Sequence, residues 1–96
     1  MKPIGLLPEA RLELLESLGH YEAQRNGLGS RFLEAVADSL DRIRRHPEAF
    51  REIEAGCRQC RVLRFPYGLV YRLRAEHIEI IAVMHLHRRP RYWEGR

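Results

Sequence analysis

The sequence has 96 residues, of which 45% are apolar and 31% are charged. This is the balance of an ordinary globular protein, so it excludes a disordered charged tail, and the length predicts one domain over residues 1–96. No run approaches the roughly 18–20 apolar residues that span a bilayer. The opening MKPIGLLPEA is too short in apolar length for a secretory signal, and two cysteines make no disulfide framework. We therefore expect a cytoplasmic protein.

Positive charge is concentrated in the last third of the chain. The net charge is +4 overall. Residues 1–59 carry nine basic and ten acidic side chains, net −1, whereas residues 60–96 carry eight arginines and three glutamates, net +5. The planar guanidinium group of arginine suits phosphate and carboxylate partners. We expect this third of the chain to bind an anionic or acidic partner, the alternative being a solvated charged face.

The first half of the sequence predicts a short extended segment and two helices. Residues 2–7 are expected to be extended, because Pro8 disfavours helical conformation in the residue before it. Apolar spacing predicts helices over residues 9–25 and 30–46, joined by the Gly27–Gly29 break into an antiparallel hairpin. The expected buried stripes are Leu14, Leu15, Leu18 and Tyr21 in the first helix and Phe32, Leu33, Val36, Leu40 and Ile43 in the second.

The second half predicts a sheet. Residues 48–59 are expected to form a loop with a helical turn around Phe50. Alternating and continuous apolar runs predict strands over residues 61–65, 69–74 and 78–85, the last of them central. Three sequential strands with short links form an antiparallel meander, and the helix hairpin must cover one of its faces. The sequence therefore predicts an α+β fold with the order β-α-α-β-β-β.

The Cys57-x-x-Cys60 spacing could belong to a zinc or redox site. A structural zinc site needs four ligands, and the nearest histidines, His85 and His87, should point to opposite faces of a strand. A redox motif would open a helix, but this one precedes a strand. We therefore expect two ordinary thiols, with no metal and no cofactor. His85 and His87 remain candidates for acid–base chemistry because of the neighbouring arginines.

A basic and aromatic set in the C-terminal third is the main binding candidate. Arginines hold phosphates and aromatic rings stack on bases, but the same residue types also anchor protein interfaces. A third alternative is that the two earlier tyrosines belong to the core, which would leave only a charged edge. The set comprises Arg61, Arg64, Arg72, Arg74, Arg88, Arg89 and Arg91 with Tyr67, Tyr71, Tyr92 and Trp93.

Three segments of the sequence resemble the RelE/ParE superfamily of toxins from type II toxin–antitoxin modules, which includes plasmid-stabilisation proteins. They are GLGSRFLEAVADSLDRIRRHPEAF, CRVLRFPYGLVYRLR and IEIIAVMHLHRRPRYW, and the likeness runs from about Pro8 to Trp93. Its most specific parts are RFPYGLVY and the H-x-x-R-x-P-x-Y-W pattern that ends at Trp93. The resemblance implies a helix hairpin on an antiparallel sheet, growth inhibition, and neutralisation by a cognate antitoxin.

The resemblance leaves two activities open. RelE-like members cleave mRNA in the ribosome. In this sequence Arg64 and Arg88 match the positions that would hold the phosphate and stabilise its charge, and Tyr92 matches the position that would position the base or transfer a proton. ParE-like members inhibit DNA gyrase. Gly68 stands where the nuclease branch has an arginine, and Lys2 is the only lysine. The ParE-like activity is therefore favoured.

A third function of another class is a non-toxic basic module that binds nucleic acid. Under all three functions the target or partner is a macromolecule: the antitoxin, gyrase, the ribosome with its mRNA, or a second copy in a homodimer. No membrane partner is expected. An acidic antitoxin segment would neutralise the arginines, and an exposed strand edge would accept an added strand. The expected partner-binding residues are Arg61, Arg72, Arg74, Arg89 and Trp93.

Overall fold

A computed structural model describes all residues from Met1 to Arg96. The chain forms two helices and five strands, and the α+β order predicted from the sequence is confirmed with one short strand added after the helices. The elements are β1 (Ile4–Leu6), α1 (Pro8–Gln24), α2 (Leu28–Arg45), β2 (Arg51–Glu52), β3 (Arg58–Val62), β4 (Tyr67–Leu73) and β5 (Ile78–His85). Neither helix is long and apolar enough to cross a membrane.

The turn between the helices depends on two glycines. Gly27 has a φ of 88°, which residues with a side chain rarely adopt. Gly29 lies so close to α1 that a Cβ there would be 2.9 Å from the Cβ of Glu22. The Glu22 carboxylate accepts hydrogen bonds from the backbone N–H groups of both glycines, at 3.0–3.1 Å. A carboxylate at this point also suits the positive end of the α2 dipole.

The five strands form one sheet in the order β1-β5-β4-β3-β2. The predicted meander is confirmed, because β3, β4 and β5 pair antiparallel in sequence order, while β1 pairs parallel with β5. Strand β5 lies inside the sheet, although the middle strand is β4. A bulge leaves Ile81 without a partner opposite Val70 and Tyr71. Through this bulge, Ile80 and Val83 both contribute to the core on the helix side.

The sheet has a core on each face. The first core lies between sheet and helices and includes Phe32, Val36, Ile43, Leu69 and Tyr71. The second core, on the opposite face, consists of Cys57, Val70, Ile81, Ala82 and Trp93. The tail after β5 therefore covers the face that the helices leave open, which the sequence did not predict.

Several local predictions were wrong. Strand β3 lies three residues earlier than predicted, because residues 63–66 form a turn in which Arg64 has a left-handed φ of 72°. Leu15 and Leu33 were expected in the buried stripes but are 53% and 45% exposed. Both helices pack on the same face of the sheet. Each helix therefore buries fewer of its positions than the apolar spacing predicts. The predicted helical turn near Phe50 is instead a non-helical turn leading into β2.

Candidate functional site

The arginines of the C-terminal third divide into two groups. Four form ion pairs with carboxylates: Arg72 and Arg74 with Glu79, Arg91 with Glu54 and Glu94, and Arg96 with Glu13. The other four form no ion pair and are exposed. They are Arg61, Arg64, Arg88 and Arg89, and we call them the free-arginine end.

The sheet topology gathers these four free arginines at one end of the sheet. Strand β4 runs antiparallel to both neighbours, so Val62, Tyr67 and His85 form one row across three strands. The free arginines flank this row: one precedes it on β3, one lies in the β3–β4 turn, and two follow β5. The backbone N–H of Leu86 donates to the carbonyl of Pro66 at 2.8 Å, which fixes the start of the tail against that turn.

At the opposite end of the sheet, one carboxylate holds two arginines. Glu79 Oε1 lies 2.6 Å from Arg72 Nε and 3.5 Å from Arg74 Nη2, and Glu79 Oε2 lies 3.8 Å from His77 Nε2. Partial burial raises the pKa of Glu79, but the hydrogen bond from Arg72 and the neighbouring positive charges outweigh it and leave this pKa below its ordinary value. Arg72 and Arg74, both predicted to bind a partner, are thus engaged within the chain.

The Glu79 cluster makes stability depend on pH. A folded-state pKa below the ordinary 4.5 means that the cluster stabilises the fold above that pH and that this contribution is lost as the pH falls through the folded-state pKa. We expect Glu79→Gln to lower the free energy of unfolding by about 1–2 kcal/mol at pH 7 and by much less at pH 3. Urea unfolding of both proteins checks this. A loss of equal size at the two pH values would contradict it.

A cleft between α1 and β5 is lined in part by Arg88, which the RelE-like alternative predicts as a catalytic residue. This cleft, called the α1 cleft here, has a volume of about 230 Å³. The Arg88 guanidinium lies 4.3 Å from the centre of the Tyr92 ring, in a cation–π contact. The residues that line the α1 cleft are Glu13, Glu16, Ser17, His20, Tyr67, Val83, His85 and Arg88.

Glu13 connects α1, β5 and the tail through a half-buried network. Its carboxylate accepts hydrogen bonds from the Val83 N–H at 3.1 Å, the Tyr92 hydroxyl at 2.7 Å and the Arg96 guanidinium at 2.9 and 3.1 Å. Burial, together with the hydrogen bond and the charge of Glu13, raises the pKa of Tyr92 well above its ordinary value. The Tyr92 hydroxyl therefore keeps its proton and donates it in a hydrogen bond to Glu13.

Glu13 was not among the site residues predicted from the sequence. A signal was present, because Ala10, Glu13 and Ser17 follow helical spacing and Ala10 is fully buried. That spacing places the Glu13 carboxylate on the side of α1 that faces the sheet.

The two histidines at the end of β5 do not point to opposite faces as predicted. The chain leaves the strand after His85, so alternation ends there, and the rings of His85 and His87 lie 5.1 Å apart. The backbone N–H of His87 donates to His85 Nδ1 at 3.1 Å. Of the two, only His85 lines the α1 cleft.

Arg64 lies in a different depression from Arg88 and Tyr92. It lines a groove of about 620 Å³, the α2 groove, with Leu28, Leu63 and Phe65. Its left-handed backbone costs about 1 kcal/mol relative to glycine, and residues held in this way are frequent at functional sites. The structure thus brings Arg88 and Tyr92 together and places Arg64 in a separate groove.

The aromatic members of the predicted surface are largely internal. Tyr67 and Tyr71 belong to the first core, and the Tyr71 hydroxyl donates to the Pro47 carbonyl at 2.6 Å. Burial raises the pKa of Tyr71 to about 12. Trp93 is only 4% exposed, so its ring attaches the tail to the sheet and leaves little surface for a partner.

The two cysteines do not form a common site. Cys57 belongs to the second core and Cys60 to the first, and both are free thiols. Burial raises the pKa of both, which keeps them protonated and unreactive. No group of three or more histidine, cysteine or carboxylate side chains is arranged to hold a metal ion.

Comparison with known proteins agrees with this architecture. Residues 6–90 match the family described as the ParE toxin of the type II toxin–antitoxin system parDE. A solved structure of the chromosomal ParDE system from P. aeruginosa has the same fold, with a TM-score of 0.67 and 20% sequence identity over 90% of this chain and 97% of that one. No functionally curated protein sequence matches the chain.

Proposed function

Because the chain belongs to the ParE toxin family of type II toxin–antitoxin systems, we propose that it arrests growth by inhibiting DNA gyrase and that a cognate antitoxin neutralises it. The observation that carries this proposal is the free-arginine end. Four exposed guanidinium groups without carboxylate partners lie at one end of the sheet, where they are available to another molecule. Unpaired arginine is the residue type best suited to carboxylate or phosphate partners.

Inhibition by binding fits the site better than RNA cleavage does. A nuclease would need Arg64, Arg88 and Tyr92 around one phosphate, but Arg64 lines the α2 groove whereas Arg88 lines the α1 cleft. The phenol of Tyr92 has a raised pKa and donates a hydrogen bond to Glu13. It is therefore poorly suited to transfer a proton to RNA.

The antitoxin is proposed to cover the free-arginine end and the adjoining α2 groove. Leu63 is 54% exposed beside Arg64, so an apolar contact and an unpaired positive charge lie next to each other. An acidic, initially disordered antitoxin segment could bury the first and pair with the second. Arg61, Arg64 and Arg89 are the proposed partner contacts, whereas Arg72, Arg74 and Trp93 stabilise the fold.

Induced expression tests the function. The wild-type chain is expected to arrest growth, and co-expression of the protein from the adjacent reading frame is expected to restore it. The variant Arg61→Ala/Arg64→Ala/Arg89→Ala should inhibit purified gyrase at least about tenfold more weakly, because each charge-assisted hydrogen bond contributes about 1.5–3 kcal/mol. The matched control is Arg11→Ala/Arg25→Ala/Arg44→Ala, which removes the same charge from exposed arginines elsewhere.

Two other outcomes would overturn the gyrase proposal. Codon-linked transcript cuts, abolished in Arg64→Ala/Arg88→Ala/Tyr92→Ala, would assign the RelE-like endonuclease activity. Unimpeded growth, combined with salt-sensitive binding to nucleic acid, would assign the non-toxic binding module.

A further inference from the structure

Arg88 is the one member of the free-arginine end whose guanidinium rests on an aromatic ring. The Arg88 guanidinium lies 4.3 Å from the centre of the Tyr92 ring, and none of the other three guanidinium groups has such a contact. The Arg88 backbone is fixed as well, because its N–H donates to the His85 carbonyl at 3.0 Å. A cation–π contact occupies no N–H donor, so the guanidinium is held in place while its hydrogen-bonding groups remain available.

The Tyr92 ring is itself held from its hydroxyl end. The hydroxyl donates to Glu13 Oε2 at 2.7 Å. The Arg96 guanidinium lies 5.1 Å from the centre of the same ring and donates to both Glu13 oxygens, at 2.9 and 3.1 Å. The ring that supports Arg88 therefore cannot turn away without breaking its hydrogen bond to Glu13.

Glu13 is anchored on the two regular elements that border the α1 cleft. It lies on α1, and its carboxylate accepts a hydrogen bond from the Val83 N–H of β5 at 3.1 Å. Arg96, which pairs with it, also donates to the Ile81 carbonyl of β5 at 3.1 Å. A side chain whose supports lie on helices and strands is placed more precisely than one supported by loops. The position of Arg88 is thus set by α1 and β5, although Arg88 itself belongs to the tail.

We propose that Tyr92 and Glu13 are positioning residues for gyrase inhibition, which hold the Arg88 guanidinium where it pairs with a carboxylate side chain of gyrase. This inference rests on the proposed function and adds Arg88 to the contacts named there. An arginine side chain loses rotamer freedom when it binds, so a guanidinium that is already held in one place binds more tightly than a mobile one. Two parallel N–H···O bonds to a carboxylate require that fixed orientation.

Variants of Tyr92, made with and without Arg88, test whether Tyr92 acts through Arg88. Tyr92→Leu removes the ring, whereas the matched control Tyr92→Phe keeps the ring and removes only the hydroxyl. With purified gyrase, we expect Arg88→Ala to inhibit supercoiling at least about tenfold more weakly than the wild type. Tyr92→Leu should inhibit about fivefold more weakly and Tyr92→Phe about twofold. In the Arg88→Ala background, neither change at Tyr92 should weaken inhibition further.

Glu13→Ala tests the second positioning residue by the same comparison. It should weaken inhibition about twofold to fivefold when Arg88 is present and leave it unchanged in the Arg88→Ala background. Urea unfolding shows which variants are folded under the assay conditions. Equal weakening in both backgrounds would mean that Tyr92 and Glu13 act only through stability, which would overturn the inference. Full inhibition by Arg88→Ala would overturn it too and would leave the gyrase proposal intact.

A second measurement needs neither gyrase nor a folded variant. Protons above the face of an aromatic ring resonate upfield, so the side-chain Nε–H and δ protons of Arg88 should lie upfield of those of Arg89 in the spectrum of the wild-type chain. Equal shifts for the two arginines would overturn the positioning by Tyr92. An upfield shift in a chain that leaves gyrase uninhibited would instead overturn the proposed function, and the role of Arg88 with it.

Discussion

Replacing Trp93 with alanine will lower the free energy of unfolding by about 3–5 kcal/mol, the range for removing a buried tryptophan. The Trp93 ring packs on Val70, Ile81 and Ala82 of the second core and is the main apolar attachment of the tail. Without it, the sheet face opposite the helices is exposed to water. Urea unfolding followed by far-ultraviolet circular dichroism measures the loss.

The matched control is Trp93→Phe, which keeps an aromatic ring in the second core and should cost clearly less than alanine. If Trp93→Ala stays within about 1 kcal/mol of the wild type, the tail is not packed on the sheet as described. The position of Arg88 and Tyr92 would then depend only on the polar contacts of the tail, such as the Tyr92–Glu13 hydrogen bond.

Replacing Glu13 with alanine is expected to cost about 2–4 kcal/mol, because it leaves a half-buried guanidinium, a hydroxyl and a backbone N–H without their acceptor. Trp93 is the only tryptophan, so its fluorescence reports directly on the tail. We expect emission to shift to longer wavelength in Glu13→Ala as the tail loosens.

Two further variants resolve the Glu13 network. Tyr92→Phe removes one hydrogen bond and should cost only about 1 kcal/mol. The double variant Glu13→Ala/Arg96→Ala should lose less than the sum of its single variants, because the second substitution removes a charge that the first left unpaired. Strict additivity would show that the Glu13–Arg96 pair does not bind the tail to α1.

Periodicity predicted the parts of the fold that local sequence determines. Both helices and the run over Ile78–His85 were predicted nearly in place, because their apolar spacing is long and regular. Strand β2 was missed because it has two residues, both exposed, and owes its existence to pairing with β3. The end of β3 was misplaced because nothing in the sequence marks Arg64 as left-handed.

The candidate site was less predictable, because it depends on contacts between distant segments. Sequence identified the excess of arginine but not which arginines have carboxylate partners. Glu13 pairs with Arg96, which lies 83 residues later in the sequence. Glu54 pairs with Arg91 because the folded tail brings Arg91 beside it. Only the folded chain separates the four free arginines from the four that hold the structure together.

Gyrase inhibition by the purified chain tests the central claim most directly. Relaxed plasmid is incubated with gyrase and ATP, and the supercoiled product is measured as the chain is added. We predict that supercoiling falls with rising concentration of the wild-type chain, that the Arg61/Arg64/Arg89 alanine variant inhibits at least about tenfold more weakly, and that the protein from the adjacent reading frame restores activity. Undiminished supercoiling at a large excess of folded wild-type chain would contradict the account.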